Sequence, residues 1–143
     1  MTLPPSEFAA LVRAVTAPTE RNALHEFVKL FWEQAEPGVP FCDNWHIGAV
    51  CEFLQAWRRR EFKNGVLNLP PGTAKSLLVD VFYLAWVWAT DPGRRMITCS
   101  YDLKLCLRDA GKLVQVISSD LYQEVWPTRL ESIKPALSNV RPP

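Results

Sequence analysis

Lys75 and Ser76 are the neighbouring residues with the clearest chemical potential in this sequence, because an ammonium group and a hydroxyl can neutralise phosphates and bind magnesium. They end the segment LPPGTAKS, residues 69–76. In a phosphate-binding loop, backbone N–H groups point at the anion and the following helix contributes the positive end of its dipole. The segment therefore predicts a nucleotide site in which Lys75 contacts the outer phosphates and Ser76 binds the metal. The loop residues expected around the phosphates are Pro71, Gly72, Thr73 and Ala74.

The segment departs from the general pattern G-x-x-x-x-G-K-[ST] at both glycine positions. Leu69 stands at the first position and Ala74 at the second. The methyl group of Ala74 disfavours backbone conformations that glycine adopts readily, and Gly72 supplies part of that freedom elsewhere in the loop. The pattern alone leaves two interpretations open. The segment is either a phosphate loop or a plain proline–glycine turn with Ser76 capping the next helix.

Short apolar runs flank the loop in the order of a parallel α/β unit. Residues 66–69 and 96–99 follow turn signals and are too short for helices, so they predict two strands. Residues 76–88 are almost continuously apolar and predict a buried helix, and residues 103–117 predict an amphipathic one. This order predicts an α/β fold of the P-loop NTPase type. A right-handed crossover would make the two strands parallel neighbours in a partial sheet.

Three helices are predicted before the loop, separated by proline-containing segments that cannot continue a helix. They cover residues 7–17, 20–34 and 47–57. We expect this helical part, residues 1–60, to pack as a lid on the adenine side of a P-loop core of residues 61–126. Residues 127–143 carry little periodicity and predict an irregular tail.

Composition narrows the class of protein. Sixteen basic residues nearly balance fifteen acidic ones, so only local patches, such as the basic run of residues 58–60, are available to contact DNA. That run is either a DNA or phosphate contact or a solvated helix end. The four cysteines form no C-x-x-C pair, which argues against a structural zinc site. No segment is apolar enough to span a membrane, and the composition predicts a cytoplasmic protein.

Several separated segments resemble the N-terminal part of tailed-phage terminase large subunits, and the resemblance covers about residues 24–126. The segments that carry it are FVKLFW at 27–32, PGVPF at 37–41, WHI at 45–47, LNLPPGTAKS at 67–76 and CSY at 99–101. The resemblance implies an ATP- and magnesium-dependent motor that moves double-stranded DNA into a procapsid, in the host bacterial cytoplasm. It also implies a homo-oligomeric ring, a small terminase subunit and a portal protein as partners, and a nuclease domain further along the chain.

Carried over by position, the resemblance implies roles for individual residues. Lys75 would hold the β and γ phosphates and Ser76 the magnesium ion. Trp45 and His46 would contact the adenine, although the family more usually has a glutamine there, and the same pair also fits a buried aromatic residue and a histidine at a helix start. Arg108 would act on the phosphates of a neighbouring subunit. An exposed helical arginine without that role is the alternative.

Hydrolysis in this family requires an apolar strand that ends in Asp-Glu, which completes the magnesium site and orients water. The nearest candidate for this strand is residues 114–120, but its apolar residues continue a helical period and Asp120 is followed by no glutamate, so a helix is the favoured alternative. We therefore expect the chain to be truncated before the acidic strand and to bind ATP without turnover. Two other classes stay open: a fragment of an unrelated P-loop kinase or helicase, and a non-catalytic interaction module.

Overall fold

The computed structural model describes residues 4–127, and every regular element within that range is helical. The helix that follows the loop contains a π-helical segment, Leu77–Phe82, and continues without a break as α4. The π segment and α4 together are called the central helix below. The α-helices are α1 Pro5–Val15, α2 Ala23–Ala35, α3 Trp45–Arg58, α4 Tyr83–Thr90, α5 Leu103–Ile117 and α6 Asp120–Val125.

The central helix is the middle of the hydrophobic core, as its nearly continuous apolar sequence predicted. Val81, Phe82, Ala85 and Trp86 are fully buried. Helix α5 packs along the π segment, and α2 packs against both α5 and the π segment. A helix that is apolar on all sides needs partners around its whole circumference, and α2, α3 and α5 supply them.

Hydrogen bonds from buried polar side chains fix the helices relative to one another. The Gln55 side chain in α3 accepts a bond from the Leu24 amide at 2.7 Å and donates to the carbonyls of Glu20 and Arg21. The indole of Trp86 donates to the Thr16 carbonyl at 2.7 Å. Because buried polar groups are costly unless they are satisfied, these bonds specify one arrangement of the N-terminal helices on the central helix.

The predicted α/β fold is wrong for the described part of the chain. Residues 66–69 and 96–99 are extended but form no strand, and no sheet exists within residues 4–127. A β-strand is stabilised by backbone hydrogen bonds to a neighbouring strand. No backbone–backbone hydrogen bond within the described range involves residues 62–73 or 95–101. Helices α2 and α5 cover the central helix in place of the expected sheet.

The remaining structural predictions have mixed outcomes. The helices predicted before the loop and over residues 103–117 are confirmed, with ends that differ by a few residues. Residues 114–117 belong to α5, which excludes the acidic-strand alternative for them. The predicted lid has no sheet to cover, and α2 and α3 instead contribute directly to the core. Helix α6 was not predicted, and the expected tail lies outside the described residues after 127.

Candidate phosphate-binding site

The loop before the central helix contains two residues in the left-handed backbone region. Gly72 has φ of +85° and Ala74 has φ of +56°. Ala74 occupies the position where the general phosphate-loop pattern has its second glycine, and its backbone adopts the conformation that glycine favours. The Thr73 hydroxyl donates to the Pro70 carbonyl at 2.9 Å, which closes the turn. The amide of Leu78 then donates to the Ala74 carbonyl at 2.9 Å, so the helix starts directly from the loop.

The loop forms one side of an open cavity of about 730 Å³. The opposite side comes from the end of α2 and from one face of α5. The cavity therefore places the loop against helices that are distant from it in sequence. Residues 69–77 line the cavity on the loop side. The residues that line the opposite side are Trp32, Glu36, Val39, Tyr101, Arg108, Asp109 and Lys112.

Charged side chains in the cavity differ in whether they have an ionic partner. Arg108 contacts Asp109 at 2.8 Å, and this hydrogen bond raises the pKa of the Arg108 guanidinium. Lys112 forms an ion pair with Glu36. Lys75 makes no ion pair within residues 4–127, and its ammonium lies 3.4 Å from the Leu69 carbonyl. Lys75 is therefore the cation in this cavity whose charge is available to an anionic ligand.

Ser76, the predicted magnesium ligand, also lines the cavity, and its hydroxyl makes no hydrogen bond to residues 4–127. No group of three or more His, Cys, Asp and Glu side chains within that range could hold a metal ion. Magnesium in nucleotide sites usually keeps several waters and takes other ligands from the phosphates. The donor set fits a magnesium ion that arrives with a nucleotide better than an ion held by the protein alone.

The predicted site residues are brought together in part. Pro71, Gly72, Thr73, Ala74, Lys75 and Ser76 line the cavity together with Arg108. Arg108 faces the loop of its own chain, and its predicted action on a neighbouring subunit stays a prediction. Trp45 and His46 do not line this cavity: they begin α3, where Trp45 is 81% exposed. Their adenine role also stays a prediction, without a contact that supports it.

Six further side chains line the cavity opposite the loop and were not predicted as site residues: Trp32, Glu36, Val39, Tyr101, Asp109 and Lys112. Trp32 and Glu36 lie four residues apart at the end of α2, and Lys112 lies one turn after Arg108 on α5. Residues four apart share a helical face, which is a signal that the sequence contains. Which helix faces the loop depends on tertiary packing. Tyr101 is 94% exposed and carried no periodic signal.

A second cavity, of about 450 Å³, shares Lys75 and Ser76 with the first. Its other walls include Phe53 and Trp57 of α3 and Asp80 of the π segment. Burial raises the pKa of the Asp80 carboxyl, and the negative charge of Asp109 raises it further. The start of the central helix is thus accessible from two sides.

No family model, curated protein or solved structure matches this chain. None of the helices in residues 4–127 has the length and apolar character needed to cross a membrane.

Proposed function

We propose that the loop at residues 69–76 binds the phosphates of ATP together with magnesium, and that the chain is the ATP-binding part of a terminase-type DNA-packaging motor. One observation carries the nucleotide proposal: the complete loop borders a cavity that contains Lys75, a cation without an ionic partner in the described residues. The helix start next to the loop adds further positive potential. The packaging role rests on the resemblance of the sequence segments.

Each polar group of the loop has a distinct task in this proposal. The Lys75 ammonium compensates the charge of the β and γ phosphates, and the amides of Gly72, Thr73 and Ala74 donate to phosphate oxygens. The positive φ values of Gly72 and Ala74 turn successive peptide groups, a geometry typical of anion-binding loops. Ser76 offers its hydroxyl to the magnesium ion, which neutralises phosphate charge when bound.

Binding without turnover is the expected behaviour. Glu36 and Asp109 are the acidic side chains that line the cavity among the described residues, and both are in ion pairs. A carboxylate held by a cation is poorly placed to orient an attacking water or to complete the shell of a metal ion. Losing one such electrostatic element costs about two to three orders of magnitude in rate.

The test is a calorimetric titration of the purified chain with ATP and magnesium, followed by a phosphate-release assay. Saturable binding should weaken about 10- to 100-fold in Lys75→Ala, the loss expected for one hydrogen bond to a charged group. Lys104→Ala removes an exposed lysine outside the cavity and should bind as the parent chain does. Phosphate release should stay at background in all three proteins.

The outcomes separate the alternatives. Equal affinity in the parent chain and Lys75→Ala would contradict the assigned phosphate site. Absence of binding in the parent chain would favour the non-catalytic interaction module. Steady phosphate release that Lys75→Ala abolishes would show a complete hydrolytic site.

Duplex DNA, a small terminase subunit and a portal protein are the proposed partners of the motor. With a net charge of +1, the isolated chain should bind duplex DNA poorly at physiological salt, because phosphate neutralisation supplies most non-specific affinity. Filter binding of a duplex oligonucleotide at two salt concentrations checks this. Tight binding that resists salt would contradict it.

A further inference from the structure

A groove of about 710 Å³ lies between the end of α3, the central helix and the extended residues 94–98. Its apolar lining includes Trp57, Tyr83 and Val87. Met96 and Ile97 line the side formed by the extended residues, and Ile97 is 91% exposed. An exposed aliphatic side chain beside an apolar groove favours a partner that covers both.

The charges around the groove have predominantly one sign. Asp80 is the one acidic side chain that lines it among the described residues. Arg58 already donates to the Thr90 hydroxyl at 2.8 Å and lies 4.8 Å from the centre of the Trp86 ring. Arg94 pairs with Asp91 only at 4.0 Å. Arg60, Lys63 and Arg95 line the groove with neither an ion pair nor a side-chain hydrogen bond in the described range.

The backbone beside the groove is also without partners. Residues 95–101 make no backbone–backbone hydrogen bond within residues 4–127. Met96 is half-buried while residues 97–100 are exposed, so the extended segment presents its peptide groups and Ile97 to solvent. Unpaired N–H and C=O groups of an extended segment are a template for pairing with another strand.

We propose that this groove docks an extended, acidic and partly apolar peptide segment of a partner protein, which pairs with the backbone of residues 96–98. Apolar side chains of the segment would enter the groove over Trp57 and Val87. Its carboxylates would face Arg60, Lys63 and Arg95. Backbone pairing supplies affinity in such strand additions, and pockets for alternate side chains supply specificity.

A single-stranded nucleic acid fits the same charges less well. Its bases require aromatic faces on which to stack. One face of the Trp57 ring is stacked on Tyr83, with ring centres 5.8 Å apart, and the Trp57 indole donates to the Lys63 carbonyl. Phe62, the third aromatic side chain of the lining, packs on Phe53 with ring centres 4.9 Å apart, and the other apolar side chains are aliphatic. A nucleic acid would also leave the peptide groups of residues 96–98 unpaired. No residue lining the groove lines the loop cavity, although Trp57, Lys63 and Asp80 also line the second cavity beside Lys75 and Ser76. The inference rests on the charges and the unpaired backbone of the groove, and it does not require nucleotide binding at the loop.

The experiment uses the full chain and a fluorescein-labelled ten-residue peptide in which glutamate alternates with valine, followed by fluorescence anisotropy. We expect saturable binding, and at least a tenfold loss of affinity when the peptide carries N-methyl groups on alternate residues, since these block strand pairing. A lysine–valine peptide should not bind. A labelled ten-residue oligothymidine is the competing probe.

Two matched double variants locate the site. Lys63→Glu with Arg95→Glu should reduce affinity for the acidic peptide at least tenfold, because four units of charge change at the groove. The control combines Arg21→Glu with Lys104→Glu, which makes the same charge change at exposed positions outside the groove. This control should bind the peptide as the parent chain does.

Several results would overturn the proposal. The proposal is wrong if the parent chain does not bind the acidic peptide, or if it binds the N-methylated peptide as tightly as the unmodified one. It is also wrong if both double variants lose the same affinity for the peptide. Tighter binding of oligothymidine, reduced only by the groove variant, would show a nucleic-acid groove instead. Unchanged far-ultraviolet circular dichroism of both variants shows that the helices remain folded.

Discussion

The helical core and the extended segments beside the loop differ in how firmly their conformations are held. Core side chains such as Phe27 and Trp86 are fully buried, and ring contacts and hydrogen bonds connect different helices. Residues 62–73 and 95–101 have no backbone–backbone hydrogen bonds in the described range. Stability and binding therefore depend on different regions of the chain. The core determines the fold, and the extended segments carry the groups that are free to contact ligands.

The largest effect should come from the aromatic cluster of the core. Phe27 is fully buried, with its ring centre 4.5 Å from that of Phe31 and 6.4 Å from that of Tyr122. Phe27→Ala should reduce the free energy of unfolding by about 3–5 kcal/mol, through lost burial and the cavity left behind. Ile97→Ala, in the extended region, should change it by less than about 0.5 kcal/mol. Urea denaturation measures both.

Should Phe27→Ala fail to fold, Phe27→Leu keeps part of the buried volume and allows the same comparison. If Ile97→Ala lowered the free energy of unfolding as much as either core variant, the proposal that the core and not the extended segments stabilises the fold would be contradicted.

A smaller loss is expected at the polar contact between α2 and α3. Gln55→Leu removes one acceptor and two donor contacts. It leaves the Leu24 amide and the Arg21 carbonyl without a partner, while the Glu20 carbonyl keeps the Ala23 amide. The expected cost is about 1–3 kcal/mol, the penalty for burying an unsatisfied polar group. Gln55→Glu keeps the acceptor and not the donors. Comparing the two variants by thermal denaturation therefore separates the contribution of the accepted hydrogen bond from that of the two donated ones. A neutral Gln55→Leu would show that this contact does not stabilise the fold.

In the loop, Ala74→Gly and Gly72→Ala should change the free energy of unfolding in opposite directions. Ala74→Gly relieves a left-handed conformation that costs alanine about 1–2 kcal/mol, offset in part by the greater freedom of unfolded glycine. We expect a net stabilisation of up to about 1 kcal/mol. Gly72→Ala should destabilise by about 1 kcal/mol through conformation alone, since nothing lies within 4 Å of the added methyl group. Denaturant midpoints that shift in the same direction for both variants would contradict these backbone conformations.

The smallest effect concerns the pH dependence of stability at Asp80. Burial raises the pKa of this carboxyl, with a further contribution from Asp109, so the unfolded chain releases the proton first. The contribution of Asp80 to stability is therefore present below its unfolded pKa, about 3.9, and is lost as pH rises through the higher folded value. Asp80→Asn should gain stability relative to the parent chain over that interval and keep the gain at neutral pH. Urea midpoints of the two proteins, measured at several pH values, check this. A stability gain of Asp80→Asn over the parent chain that became smaller as pH rose would contradict the raised pKa.

The helices were predictable and the sheet was not, for a physical reason. Leu24, Phe27 and Phe31 lie three and four residues apart and recur on one face, a local pattern that the chain satisfies by itself. Residues 66–69 show the alternating burial of a strand, yet a sheet also requires a partner strand that no local pattern supplies. The site divides in the same way. The loop and its lysine follow from the sequence, whereas Trp32 and Lys112 reach the cavity only through the packing of α2 and α5.

Binding of nucleotide phosphates by the loop through Lys75 can be followed residue by residue with backbone amide NMR during titration with magnesium and ATP. We expect saturable shifts at Gly72, Thr73 and Ala74 that Lys75→Ala abolishes, with little change at residues 96–98. Shifts that persist in Lys75→Ala, or loop amides that stay unchanged at saturating nucleotide, would contradict the proposed phosphate site.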